Sequence, residues 1–214
     1  MQRESYLQDL DARLHVHPSS EADALKAALL AVTDRPAVAT TLLMRIGDIL
    51  LRAIRATRAA AGNGPIQPVF VLRGGLPFWS LAQEFDDLQP SGLLVPARVR
   101  HSETPHVAYG SLPHPGNRGY LLLDMLIASG TTMAVCAQTV LDRTGVDGAA
   151  LTFAAPFVAG SGRDALLQRF PQARIHCIWH AEEVDADGRM VGPGFDVGDF
   201  ALGSAADRIT WSDS

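Results

Sequence analysis

The sequence predicts an α/β protein built on a parallel, twisted sheet with helices on both faces. Three observations carry this. Runs of strand length such as Pro68-Val-Phe-Val-Leu72 and Tyr120-Leu-Leu-Leu123 are apolar at successive positions, the pattern of strands buried on both faces. Segments with apolar residues at helical spacing stand between them, so strands and helices take turns along the chain. Small or charged segments follow the strands: Arg73-Gly74-Gly75, Asp124 with its loop, and a tail rich in Asp and Gly. Open parallel sheets bind ligands at such carboxyl ends, near a switch in strand order.

The elements follow in order. Glu21 to Val32 reads as a short amphipathic helix. Asp34 then offers an N-cap and Pro36 an early helical proline. The helix they start runs to about Ala61, with Leu42, Leu43, Ile46, Ile49, Leu50 and Ile54 on one face, a candidate subunit interface. Ala61-Gly-Asn-Gly-Pro65 breaks it. The strand over 68–72 follows, then a helix with Phe78, Trp79, Leu81 and Phe85, then a strand over 92–96. Residues 98–118 contain three prolines, two glycines and three histidines and suit a hairpin or mobile loop. Beyond the strand at 120–123 lie a helix from about Met133, a strand over 149–155, a helix over 163–170 and a strand over 174–178. Trp79 and Trp179 sit in apolar patterns that place them in the core.

Length and charge narrow the function. The 214 residues suit a single domain, with residues to about 35 as an N-terminal extension and about 181–214 as a tail. Net charge is −5 and Lys26 is the only lysine among 18 basic residues, so no nucleic-acid footprint is expected, and anions must be met by arginine and backbone. No apolar run reaches membrane-spanning length, and the N-terminus is polar and acidic, unlike a signal peptide. Cys136 and Cys177 form no CxxC, so reduced thiols in the cytoplasm are the expectation.

Leu121 to Thr132, LLLDMLIASGTT, is the most informative stretch. A buried strand ends in Asp124, a loop of small residues closes on Ser129-Gly130-Thr131-Thr132, and a helix begins. Free N–H groups at the positive end of a helix, with hydroxyls beside them, suit a phosphate. The same pattern is also met in an ordinary strand-to-helix loop with a hydroxyl cap.

Three segments in order resemble the uracil phosphoribosyltransferases, which join a pyrimidine to 5-phosphoribosyl-1-pyrophosphate (PRPP) and release pyrophosphate. Val71-Leu-Arg-Gly-Gly-Leu76 is similar to the family's pyrophosphate loop "ILRAGL". Asp124-Met-Leu-Ile-Ala-Ser-Gly-Thr-Thr132 is similar to its PRPP motif "DPMLATGGS". Gly188-Arg-Met-Val-Gly-Pro-Gly-Phe-Asp-Val-Gly-Asp199 aligns without a gap on the base-recognition tail "GYIIPGLGDAGD". Ala154-Ala-Pro156 matches a strand end, and the order holds from about residue 30 to Gly203.

The resemblance implies a phosphoribosyltransferase-like domain. The N-terminal helices, the 98–118 loop and the tail would form a small hood over the sheet. It implies that Arg73, Gly74 and Gly75 grip pyrophosphate and that Asp124 holds the ribose hydroxyls. Met125, Leu126, Ile127, Ala128, Ser129, Gly130, Thr131 and Thr132 would surround the 5′-phosphate. Asp196 would complete the PRPP site, and Met190, Val191, Phe195, Asp196 and Val197 would meet the base. A second pyrophosphate arginine is Arg100 if Arg100-His-Ser-Glu-Thr104 matches the family's "RNEET", or Arg98 if spacing from Arg73 decides. Mg²⁺ would arrive with PRPP, and a homodimer or higher homo-oligomer is implied.

The tail departs from the family where the base should sit. Phe195 replaces a glycine, Arg189 replaces a tyrosine, and Gly192-Pro193 inverts the family's Pro-Gly. These changes suit an altered acceptor, and equally a uracil enzyme whose backbone contacts survive. A PRPP- or nucleotide-sensing protein without turnover is the alternative on the same fold. His101, His106 and His114 have no metal-ligand spacing. The acidic run Glu182, Glu183, Asp185, Asp187 reads as a solvated turn, and Ser129 lacks the surroundings of a nucleophile.

Overall fold

A computed structural model describes residues 12–32, 35–88, 90–98, 105–114, 116 and 118–181. Seven strands make the main sheet: β1 (Leu14–Val16), β2 (Ile66–Val71), β3 (Gly92–Arg98), β4 (Pro105–Ser111), β5 (Gly119–Leu123), β7 (Leu151–Ala154) and β9 (Arg174–Cys177). Their spatial order is β1-β9-β7-β5-β2-β3-β4. Every pairing is parallel except that of β3 with β4. Three short parallel strands, β6 (Leu126–Ile127), β8 (Phe157–Ala159) and β10 (Trp179–Ala181), form a second sheet in the order β10-β8-β6. From β2 the chain goes one way to β3 and β4, then returns to the other side of β2 for β5. The crevice between β2 and β5 is therefore a topological switch point.

Helices α1 (Ser20–Leu30), α2 (Pro36–Ala60) and α3 (Leu76–Ala82) cover one face, and α4 (Thr131–Thr144) and α5 (Gly160–Arg169) cover the other. Two apolar clusters result. One joins Leu43, Ile46, Leu50 and Ile54 of α2 to Phe70 and Leu121. The other joins Met133 and Val140 of α4 to Val69, Leu122 and Phe153. Adjacent residues of β2 and β5 thus serve opposite cores, which is why these strands read as unbroken apolar runs.

This architecture is the α/β class that the sequence predicts, with several corrections. The apolar face of α2 is consumed by the chain's own core: Leu43, Ile46, Leu50 and Leu51 are fully buried, so it is no free subunit interface. Trp79 is 46% exposed rather than a core residue, touching Phe70 only edge-on. Trp179 is half-buried, stacked on Phe157 at 4.6 Å, with its Nε1–H donating to Asp23. Part of the 98–118 segment is a true hairpin strand, β4. Its far end is tied down, with Gln67 donating to the His114 carbonyl at 3.0 Å and the Tyr120 hydroxyl to the Pro113 carbonyl at 2.7 Å. Cys136 and Cys177 are buried and unpaired, and burial pushes both thiols up to about 12. Among the described residues no helix is long and apolar enough to cross a membrane.

The N-terminal segment adds an edge strand that the sequence reading lacks. His15 of β1 and His17 just after it stack on His176 of β9, at centroid distances of 4.6 and 5.2 Å. His17 Nε2 and His176 Nδ1 share a hydrogen bond of 2.9 Å, which requires one of the two rings to accept and so to be neutral. Burial first, then the neighbouring His15, His17, Arg58 and Arg174, lower the His176 pKa from 6.5 to about 3. The sign follows. Unfolded His176 takes up a proton as pH falls through 6.5, whereas the folded ring resists until about 3, so the unfolded state binds more protons in that window. The array's contribution is complete above pH 6.5 and is lost progressively towards pH 3. Urea denaturation should show stability falling on acidification, and the fall should be shallower in His176→Gln. Parallel pH profiles for the two proteins would refute this.

Candidate active site

Two loops leave the carboxyl ends of β2 and β5 and meet in the switch-point crevice. The first is residues 72–75, whose Leu72–Arg73 peptide is cis. Gly75 N–H donates to the Val71 carbonyl at 2.7 Å, folding the loop back on its strand before α3 starts. The loop lies directly against the end of β5. A Cβ on Gly74 would fall 1.9 Å from Asp124 Oδ1, and one on Gly75 would fall 2.7 Å from the Leu123 carbonyl. Gly75 faces backbone on every side and admits no side chain, whereas a methyl group at Gly74 would have to displace the Asp124 carboxylate. Arg73 is exposed and makes no hydrogen bond or ion pair with the described residues, so its guanidinium is available to a ligand.

The second loop is residues 124–130. Asp124 N–H bonds the Ala154 carbonyl at 3.1 Å, fixing the carboxylate at the strand end, and Oδ1 accepts from the Met125 N–H at 2.7 Å. Asp124 lines a cavity of about 150 Å³ with Leu126 to Met133, so it shares one depression with Ala128, Ser129, Gly130, Thr131 and Thr132. Met125 departs from the sequence expectation. It does not line this cavity, and its side chain is fully buried in the core. The helix cap also differs: Gly130, not a hydroxyl residue, caps α4 in the left-handed region at φ 75°. Ser129 and Thr131 point hydroxyls at one another at 3.1 Å on the exposed rim. First-turn N–H groups of α4, a hydroxyl pair and a carboxylate thus surround a space of anion size.

The loop rests on a surface that sequence reading missed. β6 pairs with β8, which runs straight into α5, bringing the start of α5 against the phosphate-loop candidate. A Cβ on Gly162 would meet the Ala128 carbonyl at 2.3 Å and Ile127 Cγ2 at 2.8 Å, while one on Gly130 would meet the Gly162 carbonyl at 2.9 Å. Ser161 Oγ donates to the Ala128 carbonyl at 3.3 Å. The signal was the Gly160-Ser-Gly162 run, whose small residues mark a close backbone approach. Gly162→Ala should raise the PRPP concentration needed for half-saturation while leaving the chain folded. Gly148→Ala, with open space around its site, is the control. Equal PRPP affinity in both variants would show that the loop does not depend on this contact.

The remaining predicted residues lie at or beyond the limits of the described residues. Arg98 is the last residue of β3, in register with Pro105. Arg100, Met190, Val191, Phe195, Asp196 and Val197 lie outside the described residues. Among the described residues no cluster of three or more His, Cys, Asp or Glu is arranged to hold a metal. The donors at the crevice are one carboxylate and hydroxyls, all oxygen. That set fits a hard cation which brings most of its ligands with it, as Mg²⁺ does on a diphosphate.

Residues 37–203 match the sequence model of the family described as uracil phosphoribosyltransferase. The chain belongs to that family. No curated protein matches the sequence. Among solved structures, the AQ2163 protein of Aquifex aeolicus is similar with a TM-score of 0.74 at 18% identity, covering 89% of this chain and 98% of its own. A purine phosphoribosyltransferase of Pyrococcus horikoshii matches at a TM-score of 0.47 and 14% identity, over 67% of this chain and 85% of its own. For this uracil phosphoribosyltransferase family member, the matched span contains both crevice loops and the 188–199 tail.

Proposed function

We propose that the chain transfers phosphoribose from PRPP to a nucleobase or related acceptor and releases pyrophosphate. Uracil, giving UMP, is the family default, and the departures in the tail favour an altered acceptor. One observation carries the reading: Gly74 packs on the carboxylate of Asp124 at the switch point, beside the Ala128–Thr132 depression. Pyrophosphate, ribose and 5′-phosphate can then lie side by side across the two loops.

The chemistry assigns the roles. An acceptor nitrogen bonds to ribose C1 while the C1–O bond to pyrophosphate breaks, the bonding pair leaves with pyrophosphate, and the acceptor's N–H proton passes to solvent. Positive charge grows on the ribose and negative charge on the leaving group. Arg73, with Arg98 or Arg100, faces the latter charge, and Asp124 accepts hydrogen bonds from the ribose hydroxyls. Ser129, Thr131, Thr132 and the N–H groups of the loop hold the 5′-phosphate. Mg²⁺, when bound with PRPP, neutralises the diphosphate oxygens. Asp196 and the segment Met190, Val191, Phe195, Val197 form the acceptor wall. In this reading the protein works on free cytoplasmic metabolites as a homo-oligomer.

The test is pyrophosphate release from PRPP and Mg²⁺ against a panel of bases. Turnover with any acceptor establishes the transferase. Tight PRPP binding with no turnover would replace it with a sensing role on the same fold. Uracil should be a poor acceptor that improves in Phe195→Gly. A benzyl group in the volume of a pyrimidine strains the site by roughly 1–3 kcal/mol. Efficient uracil turnover by the unmodified chain would instead make this a plain salvage enzyme.

A further inference from the structure

We propose that the amino-terminal end of the sheet carries a second ligand site, for a small organic anion with an apolar body. It is independent of the reaction above. A cavity of about 490 Å³ opens beneath the C-terminal turns of α2. Ile54, Ile66 and Leu121 give it an apolar floor, and Arg55, Arg58 and Arg118 lie along its rim. Ile66 is the first residue of β2, whereas Arg73 follows its end, so the two sites are separated by the length of the strand, roughly 17 Å.

Asp87 is the acid that lines the cavity, and Arg55 already holds it, Nη2 to Oδ1 at 2.9 Å. Arg58 donates to the Gly64 carbonyl at 2.6 Å and pairs with no carboxylate among the described residues. It is only partly exposed, and Arg174 and His176 stand within electrostatic reach. A guanidinium kept from water beside another cation is costly unless an anion joins it. Its planar fork matches a carboxylate or phosphate. An inorganic ion would fill only a small part of the roughly 490 Å³. An apolar or aromatic body bearing one such group uses both the fork and the apolar floor, and the volume lies in the range of small-molecule sites.

The test titrates the full chain with phenyl phosphate, benzoate, inorganic phosphate and uncharged benzamide, by calorimetry and thermal shift. Phenyl phosphate or benzoate should bind saturably to the unmodified chain and to Arg73→Ala. It should bind roughly tenfold to a hundredfold more weakly to Arg58→Gln, which keeps the stem but loses the charge. Inorganic phosphate and benzamide should bind more weakly than either. In the unmodified protein, phenyl phosphate should also protect Arg58 from phenylglyoxal, read by peptide mass spectrometry, so the result stands even if the variant fails to fold. The site is refuted by absence of saturable binding, by Arg58 modified equally with and without phenyl phosphate, or by binding lost in Arg73→Ala but kept in Arg58→Gln.

Discussion

Asp124→Asn should abolish most PRPP use while leaving the fold intact. The amide is nearly isosteric and can still accept the Met125 N–H at its oxygen, so the strand end keeps its local bond. What disappears is the charge, and with it the strength of each bond to a ribose hydroxyl. Charge-assisted hydrogen bonds are worth about 1.5–3 kcal/mol each, so two lost together reduce kcat/KM by roughly two to four orders of magnitude. Thermal unfolding should shift little, because the side chain is only half-buried and its surroundings are polar. The oxygen that accepts this bond is also the one beside Gly74, so the amide nitrogen takes the place of Oδ2, away from both. A well-folded Asn variant with unchanged PRPP affinity and turnover would remove Asp124 from the site.

Arg73→Ala should cost turnover and pyrophosphate affinity together. The same guanidinium meets the leaving group in the forward direction and the attacking pyrophosphate in reverse. Loss of an anion-stabilising donor from a preorganised site typically raises the barrier by about 2.7–4 kcal/mol, a hundredfold to a thousandfold in rate. Stability should hardly move, since Arg73 is exposed and bonds to no described residue. Parallel variants at Arg98 and Arg100 identify the second arginine by which one reproduces the loss. Normal pyrophosphate binding by Arg73→Ala would place the leaving-group site elsewhere.

The parts of this molecule that were legible in the sequence share a physical cause. β2 and β5 bury both faces, so Val69-Phe70-Val71 and Leu121-Leu122-Leu123 carry an unbroken apolar signal. Gly75 and Gly130 are glycines because of close approach or positive φ, constraints that leave a mark in the residue type itself. The parts that were not legible lack such a mark. β6, β8 and β10 are two or three residues long, too short for a period to show. β1 inverts the usual rule: His15, with His17 just after the strand, packs on its neighbour's His176 while Val16 is 43% exposed. The role of Gly162 depends on a contact with residues more than thirty positions earlier, which no local pattern encodes. Trp79 shows the limit of periodicity, which cannot tell the rim of an apolar face from its centre.

The three-stranded sheet has a consequence for how the two reactants are brought together. Its first strand opens into the loop that ends at Gly130, its middle strand feeds the helix that braces that loop, and its last strand, Trp179–Ala181, pairs with the middle one. In the proposed reaction the sugar is therefore held from this small ledge as well as from the main sheet, and the acceptor must meet it there. Changes in these short strands would then alter how the sugar's phosphate is held without touching the ends of β2 and β5.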